Sequence, residues 1–169
     1  MKVYLALYKG RKSGCGIGTW LARIQDSIIR IITNSSYSHC EIAIVEEVKQ
    51  YPSVPSVYTC YSSSARDGGV RRKLMSLPSD KWDLIHLPLD VAERVESFYR
   101  HTKGNKYDIL GVTAFVLPFI NQIAGSWFCS EWCACAIGYP NPSQYSPQSL
   151  YAAILTQASN DNRTHKIIA

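Results

Sequence analysis

The sequence predicts an α+β domain in which an antiparallel sheet packs against helices. Segments rich in Val, Ile, Leu and Tyr with strand-like patterns are bounded by Gly, Pro and Ser, and two of them flank a proline loop as a hairpin. Other segments have apolar residues at helical spacing and clear capping residues. With 169 residues and 46% hydrophobic composition, the chain can bury one core, and we expect a single domain covering residues 1–169.

Four segments have the composition of strands. "KVYLALY" near the start alternates, and the glycine-rich "KGRKSGCGIG" after it is typical of a loop. "SHCEIAIV" and "VYTCYSS" flank the loop that contains two prolines, which predicts an antiparallel pair. "ARDGGV" is typical of a turn, and "DLIHLPL" is the fourth predicted strand.

Helical spacing predicts five helices. The first covers residues 19–33, and the second, "DVAERVESFYRHTKG", has Asp90 as its N-cap and Gly104 as its terminator. "YDILGVTAFVL", "CSEWCACAIG" and the short "SLYAAIL" follow, the first of these stopping before Pro118. The polar tail, residues 156–169, is expected either to move freely or to close a sheet edge.

Charge and hydropathy exclude several classes of partner. The net charge is +5, and the basic residues are scattered apart from "RRK", which favours a solvated face over a nucleic-acid groove. No apolar run reaches the ~20 residues of a transmembrane helix. The N-terminus lacks the pattern of a signal peptide, so we expect a cytoplasmic protein whose six cysteines are reduced.

Three of the cysteines lie close together in "CSEWCAC". Cys129, Cys133 and Cys135 do not form the paired ligand spacing of a zinc site, so no metal is expected, and a disulfide within one helix is geometrically unfavourable. Most of the cysteines are expected to be small core residues. Cys129 differs because it begins a helix, where unpaired N–H groups and the helix dipole lower the pKa of a thiol.

A nucleophilic thiol needs a base beside it, and one histidine is well placed to be one. His39 follows a turn and begins a strand, a position that presents a side chain at the edge of a cleft. The alternative is that His39 is merely structural, as most single histidines are. His101 and His165 are expected to be solvated, and His86 can lie on either face of its strand.

Four motifs occur in an order that resembles a known group of enzymes. "IIRIITNSSYSHCEIAIV", "GNKYDILGV", "WFCSEWCACAIG" and "YSPQSL" together resemble the signatures of circularly permuted papain-like thiol hydrolases. These are relatives of NlpC-type peptidases, including YiiX-like proteins, in which the histidine strand precedes the cysteine helix. The resemblance covers residues 24–150 and implies the circularly permuted papain-like fold.

The resemblance also implies roles for three residues. Cys129 matches the nucleophile, and His39 matches the general base that takes its proton and returns it to the leaving group. Tyr107 matches a tyrosine that lines the site and helps to bind the oxyanion. A core tyrosine with a satisfied hydroxyl is the alternative for Tyr107.

The residue that would orient the imidazole is not fixed by the motifs. Relatives often have a polar group on the strand after the histidine strand, and a symmetric hairpin would bring Ser62 or Ser63 opposite His39. Glu41 is the other candidate, because residues two apart on a strand share a face. The sequence leaves this role open between Glu41 and Ser63.

The segment "SSSARDGGVRRK" is expected to overhang the cleft. Its Arg66, Arg71 and Arg72 would then contact a carboxylate on the substrate, because guanidinium groups pair bidentately with carboxylates. The alternative for each arginine is an exposed, solvated side chain.

The sequence therefore predicts a cysteine hydrolase that cleaves an amide or ester bond without a cofactor. By the resemblance, the leading substrate is a cell-wall (peptidoglycan) peptide, and a bacterial or phage origin, including association with a virion, would suit the small domain. A lipid acyl hydrolase or acyltransferase is the second hypothesis, with the apolar "ILGVTAFVLPFINQIAG" lining an acyl pocket. A non-catalytic binding or virion structural module is the third.

Overall fold

A computed structural model describes residues 1–10, 30, 35–46, 57–108, 125–160 and 167–168. Within these residues the strands are β1 Lys2–Tyr8, β2 His39–Val45, β3 Val57–Ser64, β4 Gly69–Ser76, β5 Trp82–Leu87, β6 Lys106–Tyr107, β7 Ser126–Trp127 and β8 Ile167–Ile168. The helices are α1 Val91–Thr102, α2 Cys129–Ile137 and α3 Pro147–Asn160, with a 3-10 turn at Pro142–Gln144. The predicted helix at 19–33 and most of "YDILGVTAFVL" lie outside the described residues.

All the described strands join one sheet, in the order β7-β6-β4-β3-β2-β1-β5-β8. Neighbouring strands are antiparallel except β6 and β7, which are parallel. The predicted hairpin is confirmed, because β2 and β3 pair with Ile42 opposite Tyr61. The predicted mixture of an antiparallel sheet and helices is likewise confirmed.

The two faces of the sheet bury different clusters. Alternate β2 residues Cys40 and Ile42 belong to the larger cluster, which contains apolar residues of all three helices. Ala43, the next residue along β2, belongs to a smaller cluster with Cys60 and Trp82. Alternate side chains at the start of β2 therefore face the helical layer and the opposite side of the sheet.

Helix α2 begins and ends where the sequence predicts. Phe128 is extended with ψ 167°, Cys129 is the first helical residue, and the Glu131 carboxylate accepts a hydrogen bond from the Phe128 N–H at 3.4 Å. Gly138 ends the helix in the left-handed conformation, with φ 86°. Cys129 thus lies in the first turn, whose N–H groups have no acceptor within the helix.

Helix α1 is confirmed, with one difference at its start. Asp90 is the residue before the helix, but its side chain makes no cap hydrogen bond and instead contacts Arg94 at 3.4 Å. Asp90 has helical backbone angles, and a side-chain cap requires an extended residue at that position. Gly104, with φ 82°, follows the last turn as predicted.

Two segments differ from the prediction. "GVRRKLMS" forms the full strand β4, although we expected a loop over the cleft. The final helix extends to Asn160, so residues 156–160 of the predicted tail are helical. Ile167–Ile168 pair with β5 at the sheet edge, which is one of the two alternatives expected for the tail. In the described part of the chain no helix is long and apolar enough to cross a membrane.

Candidate active site

His39 and Cys129 each begin a structural element, and the two elements pack against each other. The turn before β2 is held by a hydrogen bond from the Ser38 N–H to the Tyr8 carbonyl at 3.1 Å. The Tyr37 hydroxyl donates to Asp83 Oδ2 at 2.8 Å, which attaches the same turn to β5. These contacts fix the position from which the His39 side chain, 21% exposed, meets the nearly buried Cys129.

The ring of His39 and the sulfur of Cys129 interact and shift each other's pKa. Burial alone would lower the pKa of His39, but the Cys129 thiolate and the hydrogen bonds with Cys129 and Glu41 raise it to about 10. The Cys129 pKa is lowered well below its ordinary value, by a hydrogen bond from Cys40 and by the His39 charge, against the effect of burial. Both shifts favour the thiolate and imidazolium forms of the pair.

Cys40 is a second thiol at the site. It follows His39 on β2, is fully buried, and donates its hydrogen bond to the Cys129 sulfur from the helical side of the sheet. Burial and the neighbouring thiols raise the Cys40 pKa well above its ordinary value, so this group stays protonated and remains a donor. The Cys133 thiol contacts the Cys40 carbonyl at 3.7 Å.

Glu41 occupies the position of an orienting acid. Its Oε1 lies 3.2 Å from Nε2 of His39, and only 1% of its side chain is exposed. With Nε2 held by Glu41, Nδ1 is the ring nitrogen left for the sulfur. Burial would raise the pKa of Glu41, but hydrogen bonds from Arg71 and His39 lower it to about 2, so the carboxylate is ionised.

Arg71 from β4 holds both oxygens of this carboxylate. Nη2 donates to Oε1 of Glu41 at 2.7 Å and Nη1 donates to Oε2 at 2.8 Å, while Nε donates to Asp67 at 3.0 Å. Its three nitrogens are engaged inside the protein, and this geometry favours a positioning role over the substrate contact that we predicted for Arg71. Arg66 is exposed in the turn between β3 and β4, and its substrate contact stays a prediction.

Ser63, the other candidate for orienting His39, makes a different contact. Its hydroxyl donates to the Trp127 carbonyl at 2.7 Å, next to the start of α2. Ile42 pairs with Tyr61, and continuing this register toward the start of β2 brings Ser64 opposite His39. The ring contact that the structure provides is to Glu41.

Tyr107 lies on β6, half-buried, next to the strand that leads into α2. It pairs with Trp127, and its N–H donates to the Gly68 carbonyl at 3.3 Å. Tyr107 therefore lies opposite the residue that precedes Cys129 by two positions. Its help in oxyanion binding stays a prediction.

Two functional contacts were missed from the sequence. The "DGG" turn signal between "VYTCYSS" and "GVRRK" could have indicated a hairpin, which would have placed Arg71 on a strand beside β3. Nothing in the local pattern around Cys40 distinguishes it from other buried cysteines. Its contact with Cys129 depends on how α2 packs against β2.

The described cysteines, Cys40, Cys60, Cys129, Cys133 and Cys135, are all free thiols. Among the described residues there is no group of three or more His, Cys, Asp or Glu side chains that could hold a metal ion. The described site brings together the thiol of Cys129, the imidazole of His39 and the buried carboxylate of Glu41.

Comparison of the chain with protein-family models and with curated proteins finds no match to either. The geometry of His39, Glu41, Arg71, Cys40 and Cys129 is thus the basis for assigning a function.

Proposed function

We propose that this protein is a cysteine hydrolase in which Cys129 is the nucleophile and His39 the general acid and base. The observation that carries the proposal is the contact between these two residues, which keeps the thiol ionised and the imidazole protonated. The order of the elements, with the histidine strand before the cysteine helix, also supports the permuted papain-like fold as part of the proposal.

The geometry supports a two-step reaction. The Cys129 thiolate attacks the carbonyl carbon of the scissile bond, and the N–H groups of the first turn of α2 bind the developing oxyanion. His39 gives its proton to the leaving amine or alcohol, and a thioester forms. Water then attacks the thioester while His39 accepts a proton from the water. This step releases the carboxylic acid and restores the thiolate–imidazolium pair.

Glu41 completes the group as the residue that orients His39. Its contact with Nε2 directs Nδ1 toward Cys129 and stabilises the imidazolium. The proposal thus assigns the orienting role to Glu41 rather than Ser63, on the strength of the 3.2 Å contact.

The proposed substrate class is a peptide amide, with cell-wall peptides first because of the sequence resemblance. A lipid ester and a binding role without turnover are the competing outcomes of the test. A cytoplasmic site of action, or a role in a phage or its virion, belongs to the same proposal.

A substrate panel tests the proposal directly. The protein is incubated with purified peptidoglycan peptides, a fluorescent thioester and phospholipid vesicles, and products are identified by mass spectrometry. We expect cleavage of an amide, loss of activity in Cys129→Ala, and a trapped acyl mass on Cys129. Cys133→Ala, one helical turn along α2, is the matched control and should retain activity.

Turnover of the phospholipid alone would identify the protein as a lipid hydrolase instead of a peptidase. No turnover, together with alkylation of Cys129 no faster than that of the other described cysteines, would contradict an enzymatic role and leave a binding module.

A further inference from the structure

The buried carboxylate of Glu41 contacts two basic side chains, His39 on its own strand and Arg71 on a different strand. Arg71 lies opposite Ser62, and continuing the β2–β3 register one residue beyond Ile42–Tyr61 places Ser62 opposite Glu41. The short serine side chain leaves room for the Arg71 guanidinium to cross β3 and donate to both carboxylate oxygens, at 2.7 and 2.8 Å. The Cys60 thiol also contacts Glu41 from the same face.

The contact with Arg71 decides whether Glu41 is ionised and accepts hydrogen bonds, or is protonated and donates one. A carboxylate that is 1% exposed would take up a proton if nothing compensated its charge. An ionised Glu41 can only accept a hydrogen bond, so Nε2 of His39 must carry a proton. A protonated Glu41 could donate to Nε2 instead, and the ring proton would then move to Nδ1, the nitrogen that must accept the proton of Cys129.

We propose that Arg71 is a positioning residue that fixes the tautomer of His39, because it holds Glu41 as a hydrogen-bond acceptor facing Nε2. The inference rests on the proposed function of the Cys129–His39 pair and extends it to a second strand. Arg71 acts through Glu41 and does not contact the reacting atoms.

Asp67 supports the same arrangement from the turn between β3 and β4. Its Oδ2 accepts a hydrogen bond from Arg71 Nε at 3.0 Å, and its Oδ1 contacts Lys73 at 3.3 Å. The guanidinium is thus held from both sides, with Glu41 in the buried direction and Asp67 at the surface. The Arg71 side chain is 15% exposed, and a carboxylate on each side holds the plane of its guanidinium in position.

Nitrogen NMR of the histidine ring tests this without requiring a substrate. Protein labelled with ¹⁵N-histidine is prepared in a Cys129→Ala background, so that the ring titrates without the thiolate, and the His39 signals are assigned by their loss in His39→Gln. Above the ring pKa, we expect the parent to have the proton on Nε2. Just below the ring pKa, where the parent ring carries a proton on both nitrogens, we expect Arg71→Met and Arg71→Gln to lose the Nε2 proton to Glu41 and to keep the proton on Nδ1.

Two variants serve as controls. Arg71→Lys keeps the positive charge and should retain the parent tautomer, which is the expected rescue by a conservative change. Arg72→Met removes the neighbouring cation on β4, whose side chain is 53% exposed and contacts Glu96 instead of Glu41. It should leave the His39 ring signals unchanged.

The proposal is overturned if folded Arg71→Met or Arg71→Gln retains the proton on Nε2 just below the ring pKa. Should neither variant fold, the parent itself decides, since a ring protonated on Nδ1 in the intact network contradicts the inference. Failure of the hydrolase proposal would appear in the substrate panel, whereas failure of this inference would appear in the ring spectrum.

Discussion

Glu41 Oε1 lies 3.2 Å from Nε2 of His39, two residues away along the same strand. Because side chains alternate along a strand, a carboxylate at this spacing reaches the ring without a contribution from another element. One strand therefore supplies both the imidazole and the carboxylate of this contact, and β4 supplies the Arg71 guanidinium that binds the carboxylate.

The first prediction separates the two candidates for this orienting role. Glu41→Gln should lower kcat/KM by about 100-fold, because a misoriented imidazole is a poor general acid and base. Ser63→Ala should lower it by less than about tenfold, because it removes one hydrogen bond to the Trp127 carbonyl, worth about 1 kcal/mol. Steady-state kinetics on the substrate that the panel identifies provide the measurement. A larger loss in Ser63→Ala than in Glu41→Gln would assign the role to Ser63.

The second prediction concerns the pH dependence of the Cys129–His39 pair. The Cys129 pKa is lowered, so alkylation by iodoacetamide should already be fast in mildly acidic solution and should reach a plateau at neutral pH. The His39 pKa is raised to about 10, so hydrolysis should fall as pH rises through about 10, where the general acid loses its proton. Alkylation rates measured by mass spectrometry of the intact protein, and hydrolysis rates measured by turnover, would test both limbs of the pH profile between pH 4 and 11.

His39→Gln is the matched variant for this profile. Without the imidazolium, the acid limb of alkylation should move to higher pH, toward an ordinary thiol. An unchanged acid limb in folded His39→Gln would mean that His39 does not ionise Cys129.

The third prediction concerns the Cys40 thiol, which donates a hydrogen bond to Cys129. Cys40→Ala should slow alkylation of Cys129 at pH 6 by about tenfold, because a hydrogen bond to a charged group contributes at least about 1.4 kcal/mol. Cys40→Ser retains a donor and should restore most of the rate. Cys135 is half-buried on the helix that begins at Cys129, and Cys135→Ala should behave like the parent. Equal rates in Cys40→Ala and the parent would show that the contact does not stabilise the thiolate.

Local patterns predicted the parts of the site that lie within single elements. The end of α2 at Gly138 follows from the glycine that terminates it, and the position of Glu41 beside His39 follows from the strand period. These features depend on residues that are close together in the chain, so sequence spacing is enough to predict them.

Contacts that cross several elements were not predictable in the same way. The run "GVRRK" resembles a solvated loop, yet Arg71 reaches Glu41 because β4 pairs with β3 at a register that places it opposite Ser62. A symmetric hairpin would bring Ser62 or Ser63 opposite His39, but the observed register, when continued, brings Ser64 there. A shift of one residue in register moves a side chain to the other face of the sheet. Register and helix packing are set by the whole core rather than by local spacing.

The fourth prediction concerns the glycine that lets β4 and β6 approach. Gly69 has φ 151°, and a Cβ there would lie 1.9 Å from the Asn105 carbonyl oxygen. Gly69→Ala should destabilise the fold by more than about 2 kcal/mol, because the strained conformation and the backbone clash act together. Gly68→Ala is the control, since Gly68 has φ 84° but open space around it, and it should cost only about 1 kcal/mol. Urea unfolding of both variants measures the difference, and equal losses would contradict the clash.

The last prediction links the Glu41 network to stability in acid. The folded pKa of Glu41 is about 2, below the ordinary 4.5 of the unfolded chain, so protonation favours unfolding. The stabilisation is present above about pH 4.5 and is lost as pH falls toward 2, which corresponds to about 3 kcal/mol.

Urea unfolding at several pH values between 2 and 6 tests this directly. Glu41→Gln should be less stable than the parent at pH 6, because Arg71 loses its buried partner, but its free energy of unfolding should decrease less between pH 4.5 and 2. Some decrease should remain, because Arg71 and the Ser64 hydroxyl also lower the Asp67 pKa to about 2, against the effect of its partial burial. Glu93→Gln, exposed on α1, should follow the parent. If Glu41→Gln loses as much stability as the parent over this range, the carboxylate is not the group that the fold keeps ionised.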